Sequence, residues 1–496
     1  MTRKEKKIWQ AFFQPRSVAV VGASRDPQKW GFTLVFNILK GGYKGRLFPV
    51  NPREKEILGL PVYADPARIP EPVDLAILIV PPPDVPGVIR DCGKNGTKAG
   101  IVITAGFGEV GPEGKTLQET VTALAKGFGM RLMGPNCQGL VSTESASLYA
   151  HMPPQFPPAG PVGVVSQSGN LATSFITAAE ALDVGFSRII SSGNEADLQT
   201  ADFLEALADD SATEVILSYL EGVKDGRTFI GKAKEVSRKK PFIMVKAGQT
   251  EAGVKAAFSH TGALSGSDDL FRALFSQAGV IRAETIEEAI DLSSALISQP
   301  LPKGRRVGVV TLGGGWGVLA ADYCAKEGLV VEELTPKMIS ALNRILPSWW
   351  NRLNPVDMVA GYRKGDLITT LELFLKSDRF DGVLMLGLGW RTVRGSLLIA
   401  EAQDPGEGMA AAGRDWVEEE KKIFAEVQEL GRRYGKPILL ASDVIREVPG
   451  LAESVRARRV AAYPTLLRAV KAYRGLVRRS EIIGGFEGSR VRGFKR

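Results

Sequence analysis

Short runs of β-branched and aliphatic residues alternate with helical stretches along most of the chain, and this alternation limits the fold more than any other feature. Such an alternation is typical of parallel strands that are joined by helices. The chain has 496 residues, which is too long for one ordinary domain. The sequence therefore predicts an α/β protein that contains more than one parallel sheet.

The apolar runs form three series, which we predict to be the strands of three sheets. The runs of the first series lie at 17–21, 46–50, 74–80, 99–104 and 131–133. Those of the second lie at 162–165, 187–190, 214–220, 241–245 and 279–282. Those of the third lie at 307–311, 329–333, 381–388 and 437–441.

Two breaks separate the three series. The stretches "MPPQFPPAGP" (152–161) and "LISQPLPKGRR" (296–306) have the composition of linkers. The predicted domains, followed by a basic tail that we expect to be disordered, are 1–150, 160–298, 304–480 and 481–496.

The net charge of +8 is concentrated at one end of the chain. Residues 451–496 contain 12 Lys and Arg but only 3 Asp and Glu, so the remainder is close to neutral. We find no motif that reads DNA or RNA beside this basic segment. The sequence therefore predicts a solvated tail and no nucleic-acid partner.

Composition also indicates where the protein works. The sequence contains no run of about 18 apolar residues, and its basic N-terminus has too short an apolar part for a signal peptide. Three cysteines in 496 residues predict neither a disulfide framework nor a metal cluster. We expect a cytoplasmic protein that has no membrane contact and holds no metal itself.

The strand ends of the first series predict a site for a phosphate-bearing nucleotide. Ligands of doubly wound sheets bind beyond the carboxyl ends of the strands, where "GASRDPQKWG" brings small residues to a helix start. The G-x-G-x-x-G spacing is absent and the second strand ends in "VNPR" without an acid, which disfavours nicotinamide dinucleotides. The candidate cofactor-binding residues are Gly22, Ala23, Ser24, Asn51, Pro52, Val80, Pro81, Asn136 and Cys137.

Two features of the second series point to an anion site. Ser168, Gly169 and Asn170 follow a strand and begin a helix, where free N–H groups favour an anion. The same residues would also serve as an ordinary helix cap. Glu221 directly follows an apolar strand. It could be a functional acid at the ligand edge of the sheet, or an ordinary solvated acid at a strand end.

The chain has two histidines, and only His260 lies in a segment suited to chemistry. Its surroundings, "FSHTGALSGSDDLF" (258–271), are small and polar and predict a mobile loop. A neutral imidazole can attack phosphorus when a carboxylate orients its other nitrogen, so we predict a phosphoryl-accepting His260 assisted by Glu221. His151, beside the first proline-rich stretch, is predicted to be incidental.

With these residues assembled, the chain resembles the α subunit of the ADP-forming (NDP-forming) acyl-CoA synthetases, in the succinyl-CoA ligase superfamily. The motifs that carry the resemblance span nearly the whole sequence, and they are "FFQPRSVAVVGAS", "VNP", "GPNC.G", "VSQSGN", "YLEG", "SHTGAL.G", "NPVD" and "YPT..RAV". A third segment fused to the first two favours the acyl-CoA synthetases over succinyl-CoA ligase, whose α subunit stops after two domains.

The resemblance implies a Rossmann-like CoA-binding domain followed by two flavodoxin-like ligase-CoA domains. It implies that His260 becomes a phosphohistidine on a swinging loop, that Glu221 stabilises it, and that Ser168, Gly169 and Asn170 bind phosphate. The implied reaction converts acyl-CoA, ADP and phosphate into a carboxylic acid, ATP and CoA, through an acyl phosphate and the phosphohistidine.

The resemblance also implies a partner, because neither an ATP-grasp module nor a P-loop is found in the chain. We expect a separate ATP-grasp β subunit that holds ATP or ADP with Mg²⁺, in an α2β2 heterotetramer. The alternative is a non-catalytic CoA or acyl-CoA sensor of the same fold, and an NAD-linked oxidoreductase is the weaker third reading. Trp316, Trp349 and Trp350 depart from the family pattern.

Overall fold

The chain forms two compact units of α/β structure. A computed structural model describes residues 2–144, 146–255, 268–359, 363–401, 407–445 and 461–491. The units comprise Met1–Glu180 with Val184–Ala289, and Ala181–Asp183 with Ile290–Arg496. The predicted α/β class is confirmed, because both units are built on largely parallel sheets.

The first unit begins with a five-stranded parallel sheet in the order β2-β1-β5-β6-β7. Every residue of β1, β5 and β6 is buried, as expected for parallel strands covered on both faces. The strands, with the small hairpin β3–β4, are β1 (Ser17–Val21), β2 (Arg46–Val50), β3 (Glu56–Ile57), β4 (Leu60–Pro61), β5 (Leu75–Leu78), β6 (Ala99–Val102) and β7 (Arg131–Met133). The helices are α1 (Arg3–Phe13), α2 (Trp30–Lys40), α3 (Val85–Asn95) and α4 (Pro112–Gly127).

A second, seven-stranded sheet completes this unit in the order β14-β13-β12-β10-β11-β8-β9. Its strands are β8 (Gly139–Ser142), β9 (Leu148–His151), β10 (Ala159–Ser166), β11 (Phe186–Ser191), β12 (Val215–Leu220), β13 (Phe242–Lys246) and β14 (Ile281–Ala283). Its helices are α5 (Gly169–Glu180), α6 (Thr200–Asp209), α7 (Gly226–Lys239) and α8 (Asp268–Ala278).

Strands β8 and β9 are absent from the sequence-based prediction. They are short, they pair antiparallel, and they extend the second sheet beyond β11. Strand β8, and all of β9 except His151, lie in the predicted domain 1–150 but pair with the second sheet. Strand β10 also begins at Ala159, inside the predicted linker.

The segment that follows β11 pairs with the end of β7 and with the residues just after it, and this pairing links the two sheets. Three backbone N–H groups donate across it, namely Asn194 to Pro135 O at 2.9 Å, Ala196 to Gly134 O at 3.0 Å and Leu198 to Leu132 O at 3.1 Å. The buried carboxylate of Asp197 accepts from Leu132 N at 2.9 Å and from Arg131 Nε at 2.8 Å. Gly193 precedes this pairing with φ +61°, and an added Cβ would lie 2.3 Å from Pro135 O.

The second unit contains a six-stranded parallel sheet in the order β16-β15-β18-β19-β20, with β17 paired to β15. Its strands are β15 (Arg306–Thr311), β16 (Val330–Val331), β17 (Val356–Asp357), β18 (Gly382–Leu386), β19 (Ile438–Ala441) and β20 (Ala462–Tyr463). Its helices are α9 (Ile286–Ser298), α10 (Gly314–Lys326), α11 (Pro336–Leu342), α12 (Lys364–Lys376), α13 (Trp390–Ala400), α14 (Glu407–Tyr434) and α15 (Leu466–Val491). Helix α15 enters the segment 481–496, whose disorder stays a prediction.

His151 has a structural environment. The side chain is only 6% exposed, and its Nε2 lies 2.8 Å from Gln155 O. Burial lowers the pKa of His151 to about 4, against a smaller opposite effect of this hydrogen bond. Asn37 Nδ2 of α2 donates to His151 O at 2.8 Å, so this histidine belongs to the packing between α2 and β9.

We predict that Gly193→Ala destabilises the first unit by about 3 kcal/mol, because it combines a left-handed backbone with a collision against Pro135 O. The matched control is Gly129→Ala, since Gly129 has φ +70° but nothing within 4 Å of an added Cβ. The control should cost about 1 kcal/mol. Urea unfolding of both variants measures the difference, and equal losses would contradict the collision.

We predict that acid destabilises the protein partly through His151. Because its folded pKa is lowered, its contribution to stability is complete above the unfolded value near pH 6.5 and is lost as pH falls towards 4. Between pH 7.5 and 4.5 the free energy of unfolding should fall by about 2–3 kcal/mol more in the wild type than in His151→Gln. Parallel pH profiles from urea unfolding would refute this assignment.

Candidate functional site

A cavity of about 770 Å³ lies in the first unit, between the carboxyl ends of the strands of its two sheets. Its first side comes from segments that follow β5, β6 and β7, and its second side from segments that follow β10, β11 and β12. Parallel sheets bind ligands at this edge because loops and helix N-termini converge there. The cavity is therefore the candidate site.

Part of the predicted cofactor set lines the cavity. Val80, Asn136 and Cys137 are lining residues. Burial raises the pKa of the Cys137 thiol to about 12, so this thiol is uncharged at neutral pH. The other predicted residues do not contribute to the described lining, and they are Gly22, Ala23, Ser24, Asn51, Pro52 and Pro81.

These other residues lie further along the same edge of the first sheet. Gly22 has φ +93°, and an added Cβ would lie 2.3 Å from Ile79 O. Asn51 Nδ2 donates to Ala23 O at 2.7 Å, which ties the end of β2 to the end of β1. Close contacts thus link the end of β2 to the end of β1, and the end of β1 to the segment after β5.

The predicted phosphate residues lie on the second side of the cavity. Ser168, Gly169 and Asn170 all line it at the start of α5, and Ser168 O accepts from Ala172 N at 3.1 Å. Gln138 Nε2 donates to Asn170 Oδ1 at 2.6 Å, which orients this amide. The backbone N–H groups of the first turn are the donors that an anion would use.

Glu221 lies directly beside the cavity, since the next two residues, Gly222 and Val223, line it. Glu221 is only 6% exposed, and its backbone N donates to Gln167 Oε1 at 2.7 Å. Its carbonyl oxygen accepts from Lys246 Nζ at 2.8 Å. Burial, and then the nearby Glu221 carboxylate, raises the pKa of Tyr219.

His260 lies outside the described residues, which stop at Lys255 and resume at Asp268. Lys246 ends β13 before this gap, and its ammonium lies 4.6 Å from the centre of the Phe271 ring after it. Burial lowers the pKa of Lys246 to about 8. Lys246 therefore contacts both the Glu221 carbonyl and Phe271, which lies just after the segment that carries His260.

Sequence analysis missed several polar residues of the cavity wall. Gln167, Glu195 and Lys224 each lie a few residues beyond a predicted strand, so the strand-end rule would have found them if every polar residue had been read. Glu195 is buried, which raises its pKa. Burial also lowers the pKa of Lys224, whose Nζ donates to Glu195 O at 2.8 Å.

A second missed group lies across the cavity. Asn194 Nδ2 donates to Glu109 and, at 3.2 Å, to Gln118 Oε1. Burial acts to raise the pKa of Glu109, but hydrogen bonds from Asn194 and Gly106 N outweigh it and lower this pKa. Lys115, also at the wall, is exposed. The wall therefore presents both an ionised carboxylate and an exposed ammonium.

The three tryptophans that depart from the family pattern have different environments in the second unit. Trp316 lines a smaller cavity of about 270 Å³ at the carboxyl ends of β18, β19 and β20, and its ring approaches Gly387. Trp350 is a core residue that donates to Asn343 Oδ1 at 2.9 Å. Trp349 is 74% exposed.

Within the described ranges, no group of three or more His, Cys, Asp and Glu side chains could hold a metal ion. No helix in the part of the chain that the structure covers is both long and apolar enough to cross a membrane.

Three family models match the chain in succession. They are a CoA binding domain at residues 16–143, a succinyl-CoA ligase like flavodoxin domain at 159–296 and a ligase-CoA domain at 307–415. This order confirms the predicted fold class, a CoA-binding domain followed by two ligase domains.

Curated relatives and a solved structure match most of the chain. The chain is 42% identical over 428 residues to the α subunit of acetate–CoA ligase [ADP-forming] II of Pyrococcus furiosus, which covers 86% of this chain and 88% of that protein. It is 38% identical over 476 residues to the α subunit of acetate–CoA ligase [ADP-forming] I of the same organism, over 95% and 98%.

One matching solved structure is the dinucleotide forming acetyl-coenzyme A synthetase 1 of Ca. Korarchaeum cryptofilum in complex with phosphate and ADP. It has a TM-score of 0.81 and 33% identity, over 97% of this chain and 98% of that chain. The chain belongs to the family of the ADP-forming acetate–CoA ligase α subunits, as its motifs predicted.

Proposed function

We propose that the chain is the α subunit of an ADP-forming acyl-CoA synthetase, which interconverts acyl-CoA, ADP and phosphate with a carboxylic acid, ATP and CoA. One observation supports this function above the others. The edge of the CoA-binding domain and the N-terminus of α5 line the same cavity, so a thioester and a phosphate could meet there.

In this proposal the first sheet holds coenzyme A along its carboxyl edge. Gly22, Ala23 and Ser24, with Asn51 and its neighbour Pro52, would accept the nucleotide part, because backbone N–H groups can approach phosphate where side chains are small. The thioester end would enter the cavity past Pro81 and Val80, and reach Asn136 and Cys137.

The second side of the cavity would hold inorganic phosphate at Ser168, Gly169 and Asn170. A phosphate oxygen would attack the thioester carbonyl carbon, the C–S bond would break, and CoA would leave as the thiolate, giving an acyl phosphate. The N-terminus of α5 favours this step because its N–H groups stabilise the charge on the phosphoryl oxygens.

His260 would then attack the phosphorus of the acyl phosphate. The P–O bond to the acyl group breaks, the carboxylate leaves and a phosphohistidine forms. Glu221 would accept a hydrogen bond from the second ring nitrogen and so stabilise the positive charge that this step places on the ring. The buried position of Glu221 at the cavity supports this role.

The phosphohistidine would pass its phosphoryl group to ADP on a separate subunit. We propose an ATP-grasp β subunit that binds the nucleotide with Mg²⁺, in a cytoplasmic α2β2 heterotetramer. The α-subunit names of the P. furiosus relatives support the presence of a partner subunit. The alternative, a non-catalytic CoA sensor, requires the first side of the cavity but no phosphorylated histidine.

We predict that the protein, incubated with acetyl-CoA and ³²P-labelled phosphate, takes up an acid-labile label, and that His260→Ala abolishes it. The matched control is His151→Asn, which removes the other histidine and should keep the label at neutral pH. Label that persists in His260→Ala would overturn the assignment of His260. Tight CoA binding without label in the wild type would favour the sensor.

We predict that Gly169→Ala raises the KM for phosphate about tenfold and leaves the KM for acetyl-CoA within about twofold. An added Cβ would lie 2.3 Å from Gln138 Cγ. The Gln138 side chain must then move, which breaks its hydrogen bond to Asn170 Oδ1. The control is Gly226→Ala at the start of α7, where the nearest atom is 3.8 Å away. Equal changes in both KM values, measured by initial rates of labelling, would contradict a phosphate site here.

A further inference from the structure

Gln167 joins the ends of three neighbouring strands of the second sheet. It follows β10 directly and precedes the start of α5, and its backbone N donates to Tyr219 O of β12 at 3.3 Å. Its side chain reaches towards the turns that follow β11 and β12.

The side-chain amide of Gln167 makes four hydrogen bonds. Its Oε1 accepts from the backbone N of Glu221 at 2.7 Å and of Gly222 at 3.2 Å. Its Nε2 donates to Gly222 O at 2.9 Å and to Glu195 Oε1 at 3.2 Å. Two accepted and two donated bonds leave no donor of this amide unused. In a flipped amide, Nε2 would face the backbone N–H groups of Glu221 and Gly222, and donors would face donors.

Glu195 fixes the far end of this network. Its side chain is 6% exposed, and the same Oε1 accepts from Ser192 Oγ at 2.8 Å and from Thr200 Oγ1 at 2.5 Å. Its backbone has φ +55°, a conformation that is costly for a residue other than glycine. The buried carboxylate therefore has a single well-defined position from which it orients Gln167.

We infer that Gln167 is a positioning residue that holds the Glu221–Gly222 turn in a fixed relation to the phosphate site at the start of α5. This inference rests on the proposed function. The covalent link from Gln167 to Ser168 sets one end of the arrangement, and the amide bonds to the Glu221 and Gly222 peptides set the other. A shift of this turn would move the Glu221 carboxylate away from the position in which it is proposed to assist His260, while acyl-CoA and phosphate could still bind.

The test compares Gln167→Met with the wild type in the labelling reaction with acetyl-CoA and ³²P-labelled phosphate. Methionine keeps the length of the side chain and removes all four hydrogen bonds. We expect labelling to slow about tenfold or more at saturating substrates, with the KM for acetyl-CoA within about twofold of the wild type. Gln155→Met, the same change at a half-buried glutamine away from this network, should keep the wild-type rate.

The outcomes separate this inference from the proposed function. No label in the wild type means that the proposed function fails, and the inference fails with it. Label in the wild type and an unchanged rate in Gln167→Met overturns the inference alone. A rise in the KM for acetyl-CoA that accounts for the loss, together with a lower melting temperature, indicates a general structural role and also overturns it.

If Gln167→Met does not fold, the variant Gln167→Glu tests the positioning role instead. Gln167→Glu keeps the acceptor for the Glu221 and Gly222 N–H groups, but it has no donor for Gly222 O and places a second carboxylate beside Glu195. We expect slower labelling at an unchanged KM for acetyl-CoA, with the folded protein verified by circular dichroism. A wild-type labelling rate in this variant would overturn the inference.

Discussion

The backbone pairing between 132–135 and 194–198 is the constraint on which the candidate site depends. It links the end of β7 and the residues just after it, in the first sheet, to the loop after β11 in the second. The buried carboxylate of Asp197 reinforces this link. Gly193 makes the approach possible because no side chain fits between it and Pro135 O. Within the first unit, this pairing brings the two carboxyl edges to opposite sides of one cavity.

The site combines rigid backbone with side chains that are fixed by buried hydrogen bonds. The helix start at α5 supplies N–H groups, whereas Gln167 and Glu195 determine where the turn after β12 lies. Buried polar networks of this kind define a single arrangement only if every donor and acceptor is satisfied. The four bonds of the Gln167 amide meet this condition, which explains how a short loop can present a carboxylate reproducibly.

Sequence reasoning succeeded where a feature is local. The runs that became β1, β10 and β12 are predominantly apolar and largely buried, as expected for parallel strands covered on both faces. It failed for β8 and β9, which are short, form an antiparallel edge, and lie beside a proline-rich stretch that resembles a linker. Gln167, Glu195 and Asn194 also lie just beyond predicted strands, but their hydrogen bonds to residues distant in the chain appear only in the tertiary structure.

The sequence by itself determined the α/β class, the order of the three domains, the family and the strand ends at which a ligand would bind. Periodicity, turn residues and ordered motifs encode these properties locally. Only the tertiary structure decided that β8 and β9 join the second sheet, that Val80 and Ser168 line one cavity, and that His151 is a buried structural residue. These outcomes depend on pairing and burial between segments far apart in the chain, which no local pattern specifies.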